Sequence, residues 1–161
     1  MKTNTENLQP HKLQRHLIIG LGGSGAETIL GNRAHTIERY GSLEAMPLAR
    51  YVYIDTDPRW HQEHQQKVEK RVRIGENEFV DIQFPGAAEL YNGIRRGSFP
   101  NYSWFDIKRL ENLKSVVDGA GTVRQLARLA FWHHYAKIRD AITRQLVDLK
   151  SSSVATTMQQ R

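Results

Sequence analysis

The stretch Leu17–Glu27, LIIGLGGSGAE, decides how this chain is read. Leu17, Ile18 and Ile19 form a short continuous apolar run that stops at glycines, as a strand buried on both faces of a parallel sheet would. From Ala26 onward Ile29, Leu30, Ala34, Ile37 and Tyr40 recur at helical spacing, and Gly41 stands where a helix C-cap glycine belongs. Between the two elements Gly20, Gly22 and Gly25 are spaced G-x-G-x-x-G. Glycines at a strand-to-helix bend let the backbone turn tightly and approach a phosphate, whose charge meets the open N–H groups and the positive end of the helix dipole. Ser24 adds a hydroxyl donor. The same glycines are also explained without a ligand, by close packing of strand on helix.

Working outward, Tyr51–Ile54 is a second β-rich run, closed by the polar turn Asp55, Thr56, Asp57, Pro58. Strand, glycine turn, helix and strand make a βαβ unit with parallel strands and an expected right-handed crossover. The C-terminal end of the second strand then lies beside the glycine bend. Asp55 and Asp57 are placed to bind a ribose hydroxyl or, through water, Mg²⁺; the alternative is a polar strand-end turn. A dinucleotide-binding unit sets its acid about twenty residues after the glycines, whereas Asp55 follows Gly25 by thirty. That disfavours NAD. No G-x-x-x-x-G-K-[ST] occurs, which argues against a P-loop kinase or small GTPase.

The remainder is less regular. His61–Glu69 is expected as an exposed helix, Arg71–Ile74 and Phe79–Phe84 as short strands, residues 85–101 as loops around their glycines and prolines, and Trp104–Val117 as a short helix. Gly119, Ala120 and Gly121 form a turn before one long helix to about Leu149, with Ala127, Ala130, Phe131, His134, Ile138, Ala141, Ile142 and Leu146 on its apolar face. That turn is a second place where helix N–H groups can meet a phosphate, with Arg124 one turn in. His61 with His64, and His133 with His134, lack a third ligand at metal spacing. Trp104, Phe105, Phe131 and Trp132 read as core, with a subunit contact as the alternative.

Length and composition suit a single domain able to bury a core: 161 residues, a quarter of them charged, with no cysteine for a disulfide or a thiolate metal site. The net charge of +6 comes largely from ten Lys and Arg after residue 107, with acids spread among them. This is the pattern of a solvated helix face rather than a nucleic-acid stripe. There is no secretory leader and no run long enough to span a membrane, so a cytoplasmic protein is expected.

LIIGLGGSGAE, then YVYIDTDP, then GAGTVRQLARLAFWHHYAKIRDAI occur in the order of three blocks of the tubulin/FtsZ superfamily, and the chain resembles most its bacterial tubulin-like proteins over roughly residues 15–147. The resemblance implies an α/β, Rossmann-like fold whose mainly parallel sheet is flanked by helices and incomplete at its C-terminal side. Residues 1–15 would be a flexible arm, 16–150 a partial nucleotide-binding domain and 151–161 a flexible tail. It implies GTP or GDP, with Mg²⁺, as ligand. Gly20, Gly22, Gly23, Ser24 and Gly25 match the first phosphate loop, Asp55 and Asp57 the second, with Asp57 reaching the metal through water, and Gly119, Ala120, Gly121 and Arg124 the third. Thr122 and Val123 stand where FtsZ-like proteins usually carry Asn and Pro. The family's later GGGTGTG or GGTGSG loop and the acidic loop offered to a neighbour's nucleotide are not in this sequence. The expectation is therefore a nucleotide-binding part of a self-assembling protein that does not hydrolyse GTP alone. The rival readings are a Rossmann-type NAD or FAD domain, a basic interaction module with a structural glycine loop, and a piece without independent activity.

Overall fold

The structure is a computed structural model that describes residues 14–83, 87–98, 103–104 and 124–151. Its centre is a sheet of three strands in the order β1 (His16–Leu21), β2 (Ala49–Asp55), β3 (Phe79–Asp81), all parallel. The register sets Leu17 against Arg50 and Leu21 against Ile54, and Tyr53 against Phe79. The α/β class with helices flanking a parallel sheet is as expected.

Two helical layers cover the sheet because β2 alternates strictly. Tyr51 and Tyr53 point to one face, where they pack with Ala26, Ile29, Leu30 and Ile37 of α1 (Gly22–Tyr40). Val52 and Ile54 point to the other, against Leu126, Leu129 and Ala130 of α4 (Arg124–His133) and Ile138 and Ala141 of α5 (Tyr135–Lys150). With both faces covered, β2 is apolar at successive positions, as a central parallel strand must be. β1 is an edge strand among the described residues, and its Ile19 and Leu21 are 44% and 62% exposed.

Several local expectations are corrected. The segment Arg71–Ile74 is not a strand; Lys70–Val72 forms a 3₁₀ turn. The reason is a side chain: Arg33 of α1 donates Nε to the Val72 carbonyl (2.9 Å) and Nη2 to that of Arg73 (2.7 Å), so a guanidinium takes the place of a neighbouring strand. Arg33 also grips both oxygens of Glu78 at 2.8 Å, and the pair is nearly buried. Residues 85–101 are not all loop, since α3 spans Ala87–Arg95 and is followed by Gly97, whose φ is +73°. Burial of Ile94 against the α4–α5 core outweighs the roughly 1 kcal/mol that Gly93 costs inside a helix. The long C-terminal helix is two helices, broken at His134, whose Nε2–H donates to the Gln83 carbonyl at 3.0 Å. Finally, the buried face of these helices runs through Leu126, Leu129, Ala130, Ile138, Ala141, Gln145 and Leu149. Ala127 is exposed, and Phe131 and Ile142 pack only at the border of the core.

Of the remaining expectations, α2 (Pro58–Lys67) starts and ends slightly before the predicted helix. Phe84, Phe105, most of Trp104–Val117 and the turn Gly119–Gly121 lie outside the described residues. Trp104 packs on the core with Arg128 above its ring at 4.3 Å, whereas Trp132 is 53% exposed beside Tyr135 and is not core.

Candidate functional site

The C-terminal ends of β1 and β2 carry the glycine bend and the aspartates. Helix α1 begins inside the glycine cluster, at Gly22, rather than at Ala26. Its N-cap is Leu21, whose side chain has no acceptor; no capping hydrogen bond is made, and the first turn holds no acid. The N–H groups at this helix head are therefore not satisfied by a side-chain cap, and they carry the positive end of the dipole. Gly22 has φ +65° and open space where a Cβ would stand, so its demand is conformational. Gly20 and Gly25 have a different role. A Cβ on Gly25 would lie 2.6 Å from the carbonyl carbon of Gly20, and one on Gly20 would lie 2.6 Å from the Gly25 oxygen. The close-packing reading thus holds for two of the glycines, and Gly22, Gly23 and Ser24 at the head of α1 are not part of that contact. Gly23 is partly buried and Ser24 exposed at that head.

Asp55 is the last residue of β2, one step past the Leu21–Ile54 pair, at the end of the sheet where α1 begins. Its carboxylate is buried. One oxygen accepts from the Tyr53 hydroxyl, and the other from the backbone N–H of Asp57 at 3.0 Å. Burial, then this bond and the charge of Asp55, push the Tyr53 phenol pKa well up, so it stays a donor. Asp57 caps α2 by accepting from Arg59 N–H at 3.0 Å, and it pairs with the Arg59 guanidinium at 3.1 and 3.2 Å. Both aspartates therefore shape the strand-end turn. Only Asp57 retains appreciable exposure, with 26% of its side chain open.

Behind the turn, His61 of α2 stacks on Phe79 at 4.1 Å, and Phe79 on Tyr53 at 5.1 Å. Burial lowers the His61 pKa, opposed by the charges of Asp55 and Glu76. Gln65 fastens α2 by pairing its amide with the backbone of Ile74, at 2.8 and 3.2 Å. At the end of β3, Lys137 of α5 donates to the Asp81 carbonyl at 2.5 Å. Burial likewise lowers the His134 pKa, against the bond to Gln83.

Arg124 is the exposed first residue of α4; Gly119, Ala120 and Gly121, which precede it, lie outside the described residues. No group of three His, Cys, Asp or Glu able to hold a metal exists among the described residues. A cleft of about 420 Å³ lies elsewhere, at the N-terminal ends of the strands between α1 and α5.

A family model described as tubulin like matches residues 17–161. The chain belongs to the tubulin-like family. No curated protein and no solved structure matches it. Within the tubulin-like chain no described helix is long and apolar enough to cross a membrane.

The glycines and the acids are legible in the sequence, but Tyr53 and Arg59, which hold the acids, are not. For Tyr53 a signal existed. It stands two residues before Asp55, hence on the same face of the strand.

Proposed function

We propose that this chain provides the phosphate-binding part of a purine-nucleotide site, GTP or GDP with Mg²⁺, as the N-terminal portion of a tubulin-like protein that assembles end to end. One observation carries the reading. The helix after β1 starts in glycine, with its N-cap unable to close over its own N–H groups and no acid in its first turn. Anions are favoured at such a position. Membership of the tubulin-like family supports the choice of GTP over other phosphates.

In this reading Gly20 and Gly25 hold strand and helix close enough for Gly22, Gly23 and Ser24 to meet the phosphates. Asp55 fixes the turn, Asp57 reaches Mg²⁺ through water, and Gly119, Ala120, Gly121 and Arg124 approach the terminal phosphate. The metal would supply charge neutralisation between phosphates. Hydrolysis by the chain alone is not part of the proposal. A dinucleotide is disfavoured because the Asp55 carboxylate, buried and engaged by Tyr53 and Asp57, is not presented to a ribose diol.

The test is a titration of the chain with GTP and with NADH, followed by tryptophan fluorescence, for the unaltered protein and Gly22→Val. GTP binding that Gly22→Val removes supports the proposal, since a β-branched residue is badly strained at positive φ. Tight NADH binding without a GTP response overturns it.

A further inference from the structure

We propose that Arg59 is a phosphate-binding residue of the same site, held by Asp57 in the free protein and transferred from that carboxylate to the terminal phosphates when a nucleotide binds. The inference rests on the phosphate-site reading above and adds to it a cation that neither the glycine pattern nor the family blocks picked out.

Three observations converge. The first is position. The pairing of Leu21 with Ile54 puts the start of α1 and Asp55, the last residue of β2, at the same end of the sheet. The chain then turns back twice, through Asp57 N–H on Asp55 and Arg59 N–H on Asp57, each at 3.0 Å. These tight turns start α2 at Pro58 and keep Arg59 in its first turn, so the heads of α1 and α2 follow neighbouring strand ends.

The second is charge. Residues 16–27 contain no Lys or Arg, and residues 49–59 contain only Arg50 and Arg59. Arg50 opens β2 at the far end of the sheet, where its Nη1 bonds the carbonyls of Pro47 and Ala49. Arg59 is thus the cation these two strand-end segments offer to a polyanion.

The third is the setting of Arg59 itself. A positive side chain in the first turn of a helix faces the positive end of the dipole, an unfavourable place. Its pairing with Asp57 offsets this, but the side chains are 56% and 26% exposed, and exposed pairs contribute little. The fork is therefore readily redirected. A phosphate offers the same two-oxygen geometry as the carboxylate with more charge.

The experiment is calorimetric titration of the full chain with GTP, GDP and GMP in EDTA, for the unaltered protein, Arg59→Ala, Arg59→Lys and Asp57→Asn, with melting curves for each. Arg59→Ala is expected to weaken GTP binding roughly ten- to a hundredfold, the range for a lost charge-assisted bond, and GMP binding much less. Arg59→Lys should recover part of the loss. Asp57→Asn keeps a good N-cap and removes the competing carboxylate, so GTP should bind more tightly than to the unaltered protein. Melting temperatures should not fall with Arg59→Ala. GTP affinity unchanged by Arg59→Ala, in a protein that does bind GTP, overturns this inference alone. Equal losses for GTP and GMP also overturn it. If the unaltered chain binds none of the three nucleotides, the phosphate-site reading falls and this inference with it.

Discussion

Replacing Gly25 by alanine places a methyl group where there is no room for it. The added Cβ would stand 2.6 Å from the Gly20 carbonyl carbon and 2.8 Å from its Cα, short by 0.8 and 0.6 Å of the 3.4 Å at which ordinary contact begins. Both obstructing atoms are backbone, in a strand whose register with β2 is fixed on its other side, so no side chain can swing away. Overpacking of this kind costs about 3 kcal/mol at the upper end of its usual range. Alanine returns about 1 kcal/mol through its better helix propensity, leaving a net loss of about 2 kcal/mol. Gly31 supplies the internal control. It lies within the same helix with nothing within 4 Å of a Cβ, so Gly31→Ala should stabilise by about 0.5–1 kcal/mol. Urea melts followed by far-ultraviolet circular dichroism measure both. The midpoint should fall for Gly25→Ala and rise for Gly31→Ala, with slopes unchanged. If Gly25→Ala melts at or above the midpoint of the unaltered protein, strand and helix are not packed glycine on glycine, and the account of the bend fails.

Other expected outcomes follow from the same geometry. Arg33→Ala leaves Glu78 nearly buried with only the Gly75 N–H, at 2.6 Å, and strips the Val72 and Arg73 carbonyls of their donor. Loss of about 3–5 kcal/mol is expected in chemical denaturation, the range for breaking a buried pair. A loss below 1 kcal/mol would show that the clamp is ornamental. His61 and His134 both have pKa values lowered in the folded state, chiefly by burial. The unfolded chain therefore binds more protons, and stability should decline as pH falls below about 6.5. Melting temperature against pH should show that decline, and His61→Phe with His134→Gln should reduce it. An unaltered slope in the double variant would refute the assignment.

The elements legible in the sequence are those whose causes are local. β1, α1 and β2 follow from an apolar run, a helical repeat ended by Gly41, and a β-branched and aromatic run closed by DTDP. What was illegible depends on partners far along the chain. The 3₁₀ turn at Lys70–Val72 is set by an arginine 39 residues before Val72, and His134, where α4 gives way to α5, bonds a carbonyl 51 residues before it. The run Arg71–Ile74 does bury Val72 and Ile74 at alternate positions, so its period suggested a strand although its hydrogen bonds run to a side chain. At the site, composition and spacing disclose glycines and acids but not which hydrogen bonds occupy an acid. The engagement of Asp55 by Tyr53 and of Asp57 by Arg59 became visible only in three dimensions.

Arg33 also bears on how α1 is mounted. It sits eleven residues after Gly22, about 16 Å along the axis, and fastens the helix at mid-length to the segment leading into β3. The glycine-on-glycine contact is a second fastening at the head of the helix, so α1 is fixed to the sheet and its flanking segment at two points. Loss of either should therefore be felt in the stability of the whole unit.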